Sequence, residues 1–472
     1  MYVRRLTANR RNFYPYTRRV NAIQRRGISI DATACILDPI SCISYASFIE
    51  SVSSRHDTLL ELPHRAFQRA SIMSVLLQIS PPSRTPAYRG LPVLALGFRP
   101  FYLLAAAFGA VAVAAWVAMY LGWWIPASQP WPGAMLWHAH EMVFGFSAAV
   151  VVGFLFTAGK NWTGLQTPQG AWLGALAGIW LLARVLMWSG PSWAAIAVDA
   201  SFLPLCSLSF YRILRRAKTQ RNYGLAIALG VMGAFNIAFH AAALGGRPDW
   251  SLHAAEAATG LVAIFVTVIG GRVIPMFTAN AIPGVRIRRW QAVERLVIAL
   301  TLLATLAAAM QAPALLTAAL ASGAAIAHAI RLSGWDPLRT WRKPIVSILH
   351  VAYAFLPAGF LLIAAASFGW LDRSTALHAL TVGVIGCAII AMVTRTALGH
   401  TGRRLETSRI EHLAYLCMAL AAVVRVAGPL LLPAWKPQAI ALSGAFWVVA
   451  LALYLFKYTP FLLRPRLDGK EG

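Results

Sequence analysis

Twelve apolar stretches, each long enough to cross a membrane as a helix, set the main limit on how this chain folds. A helix rising about 1.5 Å per residue needs about 20 mainly apolar residues to span the hydrocarbon layer. Charged residues make up only 12% of the chain, whereas a soluble domain has about 25%. We therefore predict an all-α fold, a polytopic membrane bundle of about twelve transmembrane helices. Predicted spans 1 to 12 lie near residues 100–124, 136–157, 171–189, 192–214, 222–245, 251–274, 292–311, 313–332, 345–369, 375–398, 411–432 and 437–460.

Basic residues occur in every second loop between the predicted spans. They lie ahead of span 1, between spans 4 and 5, 6 and 7, 8 and 9, and 10 and 11, and after span 12, while the intervening loops are short and nearly neutral. Because Lys and Arg are retained on the cytoplasmic side, we predict a multi-pass protein of the bacterial inner membrane with both termini cytoplasmic. This placement also explains the net charge of +26, so we predict membrane lipids, and no nucleic acid, beside the basic residues.

Residues 1–72 differ from the rest of the chain. They contain four pairs of adjacent arginines, no lysine and no apolar run of span length, and they lack the apolar core of a signal peptide. Two explanations fit: a disordered basic arm on an anionic membrane face, or a start site placed too far upstream, with Met73 as the true start. We favour the second. The predicted organisation is then a basic extension (1–72), a cytoplasmic leader (73–95), a transmembrane domain (96–460) and a cytoplasmic tail (461–472).

Ionisable side chains gather near the predicted outer end of the spans. Such groups are costly at membrane depth, and they mark functional or bundle-facing positions. In spans 2 and 6 the spacing H-x-x-E puts a histidine and a glutamate on one helix face, where the carboxylate can orient the imidazole or meet a shared cation. The set comprises His138, His140 and Glu141 (span 2), Arg184 (span 3), Asp199 (span 4), His240 (span 5), His253 and Glu256 (span 6), His378 (span 10) and Arg425 (span 11).

Spans 2, 6 and 10 are four helices apart, and each carries histidine at a similar predicted depth. Their inner ends also resemble one another, in TAGKNWTG (157–164), RVIPMFTAN (272–280) and TRTALGHTGR (394–403). We interpret this as a weak internal repeat of four helices, present three times.

Histidines at one depth on separate helices suit the binding of haem or copper, because neutral imidazole is a common ligand of both metals. The five cysteines form no CxxC or CxxCH motif, so any haem is held non-covalently. His138, His140 and His378 are the candidates for axial haem ligands, and Arg184 and Arg425 for partners of the haem propionates. Two alternatives stay open: the histidines cap helices or bond across the bundle, and Arg184 neutralises Asp199.

His138 and His140 cannot both face the same partner. Two residues along a helix correspond to about 200° of rotation, so we expect one ring to reach a haem opposite His378. The other ring then faces a different helix and is available to copper. We expect Glu141, one turn beyond His138, to orient that ring.

Four segments carry a resemblance to a known family. GFRPFYLL (97–104), LWHAHEMVFGF (136–146), GFLFTAGKNWTG (153–164) and TRTALGHTGR (394–403) resemble the signature segments of the NnrS family. Members are bacterial membrane proteins of the nitric-oxide response that are described as containing haem and copper. The resemblance covers about 90 to 460, and residues 1–72 have no counterpart in it. It implies nitric oxide as a ligand and a role in nitrosative stress or denitrification.

A looser similarity is to subunit I of the haem–copper oxidases, which has three four-helix arcs and haem ligands on helices 2 and 10. Carried over, it places His138 or His140 opposite His378. Span 10 here has one histidine and span 7 has none, so the three-histidine copper site of the oxidases has no counterpart. His240 with His253 is the remaining candidate pair for copper.

The sequence thus favours a haem- and copper-binding integral membrane protein that binds or handles nitric oxide. It shows no cytochrome c domain and no quinone motif, so turnover and the electron donor stay open. The alternative is a secondary transporter, in which buried His, Glu and Arg residues form an ion or proton pathway. A third possibility is a sensor or assembly partner without turnover.

Overall fold

The computed structural model describes residues 88, 90–189 and 192–469 of the chain. Within these residues, twelve helices are long and apolar enough to cross a membrane, so the predicted all-α bundle is confirmed. The extension 1–72 and most of the leader 73–95 lie outside the described residues. The helices are α1 (Phe98–Tyr120), α2 (Ala134–Thr163), α3 (Gly170–Ser189), α4 (Ser192–Arg216), α5 (Gln220–Leu244), α6 (Pro248–Ala281), α7 (Gln291–Ala309), α8 (Ala314–Ser333), α9 (Pro344–Ser367), α10 (Arg373–His400), α11 (Arg409–Leu431) and α12 (Pro433–Leu463).

Local sequence signals explain several helix ends. Proline occupies the first turn of α6 and α9, where its missing N–H leaves no hydrogen bond unmade. Gly164 ends α2 in the left-handed conformation, with φ 67°, which glycine adopts without steric cost. Ser408 and Glu411 form a capping box at the start of α11, which satisfies backbone N–H groups that the helix leaves free.

Each helix packs against the next one along the chain, and α12 returns to pack against α1. α6 contacts both α2 and α10, and the membrane-length parts of α2 and α10 are the most buried, at 78% and 67%. α6 thus joins the two helices that the predicted threefold repeat makes equivalent to it.

Two of these equivalent helices widen into π-helix directly after a histidine. In α2 the π-helical segment is Glu141–Ser147 and follows His140, and in α10 it is Ala379–Gly386 and follows His378. Segments of this kind inside α-helices are frequent at functional sites. Both π-helical segments lie near the predicted outer ends of α2 and α10. The sequence pattern did not predict either segment.

Candidate haem and metal centre

Two histidines from different helices converge on one carboxylate at the end of the bundle that the sequence predicts to be the outer one. His140 Nε2 on α2 lies 3.1 Å from Asp199 Oδ2 on α4, and His240 Nε2 on α5 lies 3.0 Å from the same oxygen. All three side chains are buried, and one ligand atom from each lies within 4.8 Å of the others. Two imidazoles and a carboxylate are a donor set that suits a transition metal ion.

Neighbouring polar groups hold this cluster in place. Asn236 Nδ2 donates to Asp199 Oδ2 at 2.7 Å, and its Oδ1 lies 2.8 Å from His140 Nε2. Glu141 Oε1 lies 3.1 Å from His140 Nδ1. Both ring nitrogens of His140 thus face oxygen acceptors, whereas a neutral imidazole has only one N–H. The arrangement is satisfied when the ring carries an extra proton, or when a cation lies at Nε2 and Nδ1 donates to Glu141.

Arg184 on α3 bridges the two carboxylates. It donates through Nη1 to Glu141 Oε2 at 2.7 Å, and Nη2 pairs with Asp199 Oδ1. A Cβ atom on Gly145 would lie 2.5 Å from Nη1, so glycine in the π-helical segment permits this close approach. Arg184, one of the two predicted propionate partners, pairs with Asp199, as in the alternative that the sequence leaves open, and also with Glu141.

The charges in this cluster do not balance by themselves. Glu141 and Asp199 contribute two negative charges and Arg184 one positive charge, all buried. With both imidazoles neutral, one net negative charge remains away from water, which is costly. A proton on an imidazole or a bound monovalent cation brings the sum to zero.

Neither H-x-x-E motif is used as the spacing suggested. Among the described hydrogen bonds, Glu141 contacts the adjacent His140 and Arg184 rather than His138. Glu256 pairs with Arg373 at the start of α10. An arginine from another helix thus reaches each carboxylate, and the described hydrogen bonds of the two glutamates do not include the histidine three residues earlier.

His240 and His253, the pair of residues predicted to bind copper, have different neighbours in the structure. His240 belongs with His140 and Asp199, whereas the described contact of His253 is with the ring of Trp250, at 5.7 Å between centroids. The structure thus replaces His253 by His140 beside His240. The sequence suggests Asp199 only as a partner of Arg184, and Asn236 is not among the predicted site residues. The available signal was a polar side chain inside each of two largely apolar spans.

A second group of side chains lies on the other side of α2. The ring of His138 stacks on Trp116 of α1, with 4.6 Å between centroids and 14° between planes. His138 also lies close enough to His378 on α10 and to Arg425 on α11 for their charges to interact. His138 and His140 therefore point to different sides of α2, as the expected rotation of about 200° requires.

Two features of this second group suit a bound cofactor. His378 Nδ1 lies 2.6 Å from the Ser374 carbonyl oxygen, which can only accept, so Nδ1 carries the proton and Nε2 of the neutral ring keeps a free lone pair. Arg425 is only 8% exposed. Its Nη2 donates to Ser374 Oγ at 3.1 Å, but its Nη1 and His138 Nδ1 are buried without a hydrogen-bond partner among the residues that the structure describes. Free imidazole nitrogens beside an unpaired buried cation match the needs of haem iron and a propionate.

The part of the chain that contains both histidine groups also matches a known protein family. A family model described as NnrS protein matches residues 92–466. This range agrees with the predicted resemblance over about 90 to 460, and it contains all four signature segments as well as both histidine groups. A search of curated proteins found no match. Because the family model covers most of the chain, the chain belongs to the NnrS family.

Proposed function

We propose that this protein binds haem and copper within the membrane and binds nitric oxide in the response to nitrosative stress. Membership of the NnrS family supports the link to the nitric-oxide response. The observation on which the cofactor proposal chiefly depends is the group formed by His138, His378 and Arg425, whose buried Nη1 has no hydrogen-bond partner among the described residues. Its donors are those that a non-covalently held haem needs.

In this proposal, His138 and His378 hold the haem from α2 and α10. The Ser374 carbonyl fixes the tautomer of His378, so that Nε2 is the ligating atom. Trp116 restrains the His138 ring by stacking on it. Arg425 neutralises a propionate and is itself positioned by the Ser374 hydroxyl. When bound, haem iron supplies the affinity for nitric oxide.

Copper belongs to the first cluster. His140, Asp199 and His240 are its proposed ligands, and Glu141 positions the His140 ring through Nδ1. The charge count favours the monovalent ion, because one positive charge neutralises the cluster whereas two leave an excess positive charge in a buried site. Arg184 keeps both carboxylates ionised and in place.

The optical spectrum of the purified protein tests this function. We expect a Soret band that shifts when nitric oxide is added under anaerobic conditions, together with about one copper per chain by elemental analysis. A protein expressed with haem and copper supplied, yet lacking both the band and the metal, would contradict the proposal.

A secondary transporter is the second candidate, and the uncompensated charge at His140 and Asp199 favours it. A proton can neutralise that cluster as well as a cation can, and buried His and Asp residues serve as proton sites in transporters. Absence of haem and copper combined with pH-dependent uptake of a solute into proteoliposomes would support this candidate instead.

A further inference from the structure

Three of the sequence segments noted above meet at the inner end of the bundle, far along the helices from the histidine groups. Arg99 of GFRPFYLL begins α1, Lys160 of GFLFTAGKNWTG lies in the last turn of α2, and TRTALGHTGR supplies His400 and Arg403 at the end of α10. The tail after α12 joins them, since the Leu467 N–H donates to the Thr401 carbonyl at 3.2 Å. The proposed haem and copper sites use none of these side chains.

Arg99 is the centre of this inner cluster. Its side chain is fully buried, and Nη1 donates to the carbonyl oxygens of Leu462 and Arg464, both at 2.8 Å. The other two nitrogens, Nε and Nη2, are buried and have no hydrogen-bond partner within the described part of the chain. Burying a charged donor without a partner is costly. Nε and Nη2 form one edge of the guanidinium plane, the edge that binds two oxygens of a single oxyanion.

Further basic side chains lie near Arg99. Arg403 and Arg466 lie close enough to Arg99 to repel it, and the charges of Lys160 and Arg466 reach His400. Burial and the neighbouring Arg464 lower the pKa of Arg403, as expected where positive charge accumulates. Arg403 donates to the Thr401 carbonyl at 3.3 Å and lies over the ring of Phe461 at 3.7 Å.

One carboxylate offsets part of this charge. Asp468 accepts from Arg466, with Nε–Oδ1 2.5 Å and Nη2–Oδ2 3.0 Å. In the part of the chain that the structure describes, Arg99 and Arg403 take part in no ion pair, whereas Arg466 does. A bound anion would supply both the missing charge and the missing acceptors.

We propose that this inner cluster is an oxyanion site that takes a phosphate group, with Arg99 as the bidentate donor and Arg403 beside it. Phosphate offers several oxygens and up to two negative charges, which suits a guanidinium edge among further cations better than chloride does. The group belongs either to an anionic phospholipid of the adjacent leaflet or to free phosphate, and both share this chemistry. The site is independent of whether haem or copper binds at the other end.

The test uses the full protein in detergent, with inorganic phosphate and phosphatidylglycerol as probes. Phosphate is titrated against potassium chloride of equal ionic strength while Tm is measured, and native mass spectrometry counts retained phosphatidylglycerol. The variants are Arg99→Gln and Arg403→Gln, with the exposed neighbour Arg404→Gln as control. Arg403→Gln matters because Arg99 also holds the end of α12, so Arg99→Gln can lower stability by itself.

We expect wild type and Arg404→Gln to bind at least one probe, and Arg403→Gln to bind it about tenfold more weakly, as for one lost charge-assisted hydrogen bond. Retained phosphatidylglycerol that phosphate does not displace identifies a lipid headgroup, and a phosphate-dependent rise in Tm with displacement of lipid identifies a site open to free phosphate. The proposal is overturned if wild type binds neither probe, or if Arg403→Gln and a folded Arg99→Gln bind both as tightly as wild type.

Discussion

His378 and Arg425, from adjacent helices, are joined through a single residue, Ser374. The Ser374 carbonyl accepts from His378 Nδ1 at 2.6 Å, and its hydroxyl accepts from Arg425 Nη2 at 3.1 Å. One turn of α10 thus sets both the tautomer of the imidazole and the position of the guanidinium. Because the first contact uses the backbone and the second the side chain, mutation can separate them.

Arg425→Leu should weaken haem retention without removing the axial ligands. Loss of a charged partner for the propionate is expected to speed haem transfer to an acceptor such as apomyoglobin about tenfold. Ser374→Ala keeps the carbonyl bond to His378 and should give a smaller increase. If haem leaves both variants as fast as it leaves the wild type, Arg425 does not contribute to haem binding.

Replacing the two histidines of α2 should have different effects. His138→Ala is expected to abolish the Soret band, whereas His140→Ala keeps it and loses copper, because the rings point into different groups. Absorbance and elemental analysis of the same preparations measure both. His253→Ala, at the outer end of α6, is the matched control and should keep haem and copper. A reversed pattern for His138 and His140 would exchange the assignments.

Arg184→Leu should destabilise the protein by about 3–5 kcal/mol, since it leaves buried carboxylates unpaired. Asp199→Leu in addition removes one of them, but Glu141 remains charged and has lost its arginine. We therefore expect the double variant to recover part of the lost free energy of unfolding, and the triple variant with Glu141→Gln to recover more of it. The midpoints of reversible unfolding in denaturant measure this order. Full recovery in the double variant would show that Glu141 needs no partner.

The predicted topology can be checked independently of any cofactor. A reporter joined after Gly472 should lie in the cytoplasm, so only a reporter that works there should be active. A reporter inserted after Gln129, between α1 and α2, should lie in the periplasm. These outcomes follow from the alternation of basic and neutral loops. If both reporters lay on the same side of the membrane, an even number of helices would separate the two points, which would contradict the eleven assigned here.

Part of the candidate site could be expected from the sequence. The histidines of α2 and α10 stand out because ionisable groups are rare in apolar spans, and the opposite directions of His138 and His140 follow from helix geometry alone. The partners of Glu141 and Glu256 could not be expected in this way. H-x-x-E describes neighbours on one helix, whereas Arg184 and Arg373 approach from other helices, and no local spacing encodes that approach.

The sequence by itself determined the membrane-spanning class, the number of helices and the predicted orientation. These depend on the hydropathy of about 20 consecutive residues and on the charge of short loops, and both are local properties. Only the tertiary structure decided that His140 and His240 meet at Asp199, that Arg425 Nη1 has no hydrogen-bond partner among the described residues, and that Arg99 lies near Arg403. Those relationships depend on how each helix is rotated about its axis and which helices pack together, which is settled by side chains far apart in the chain.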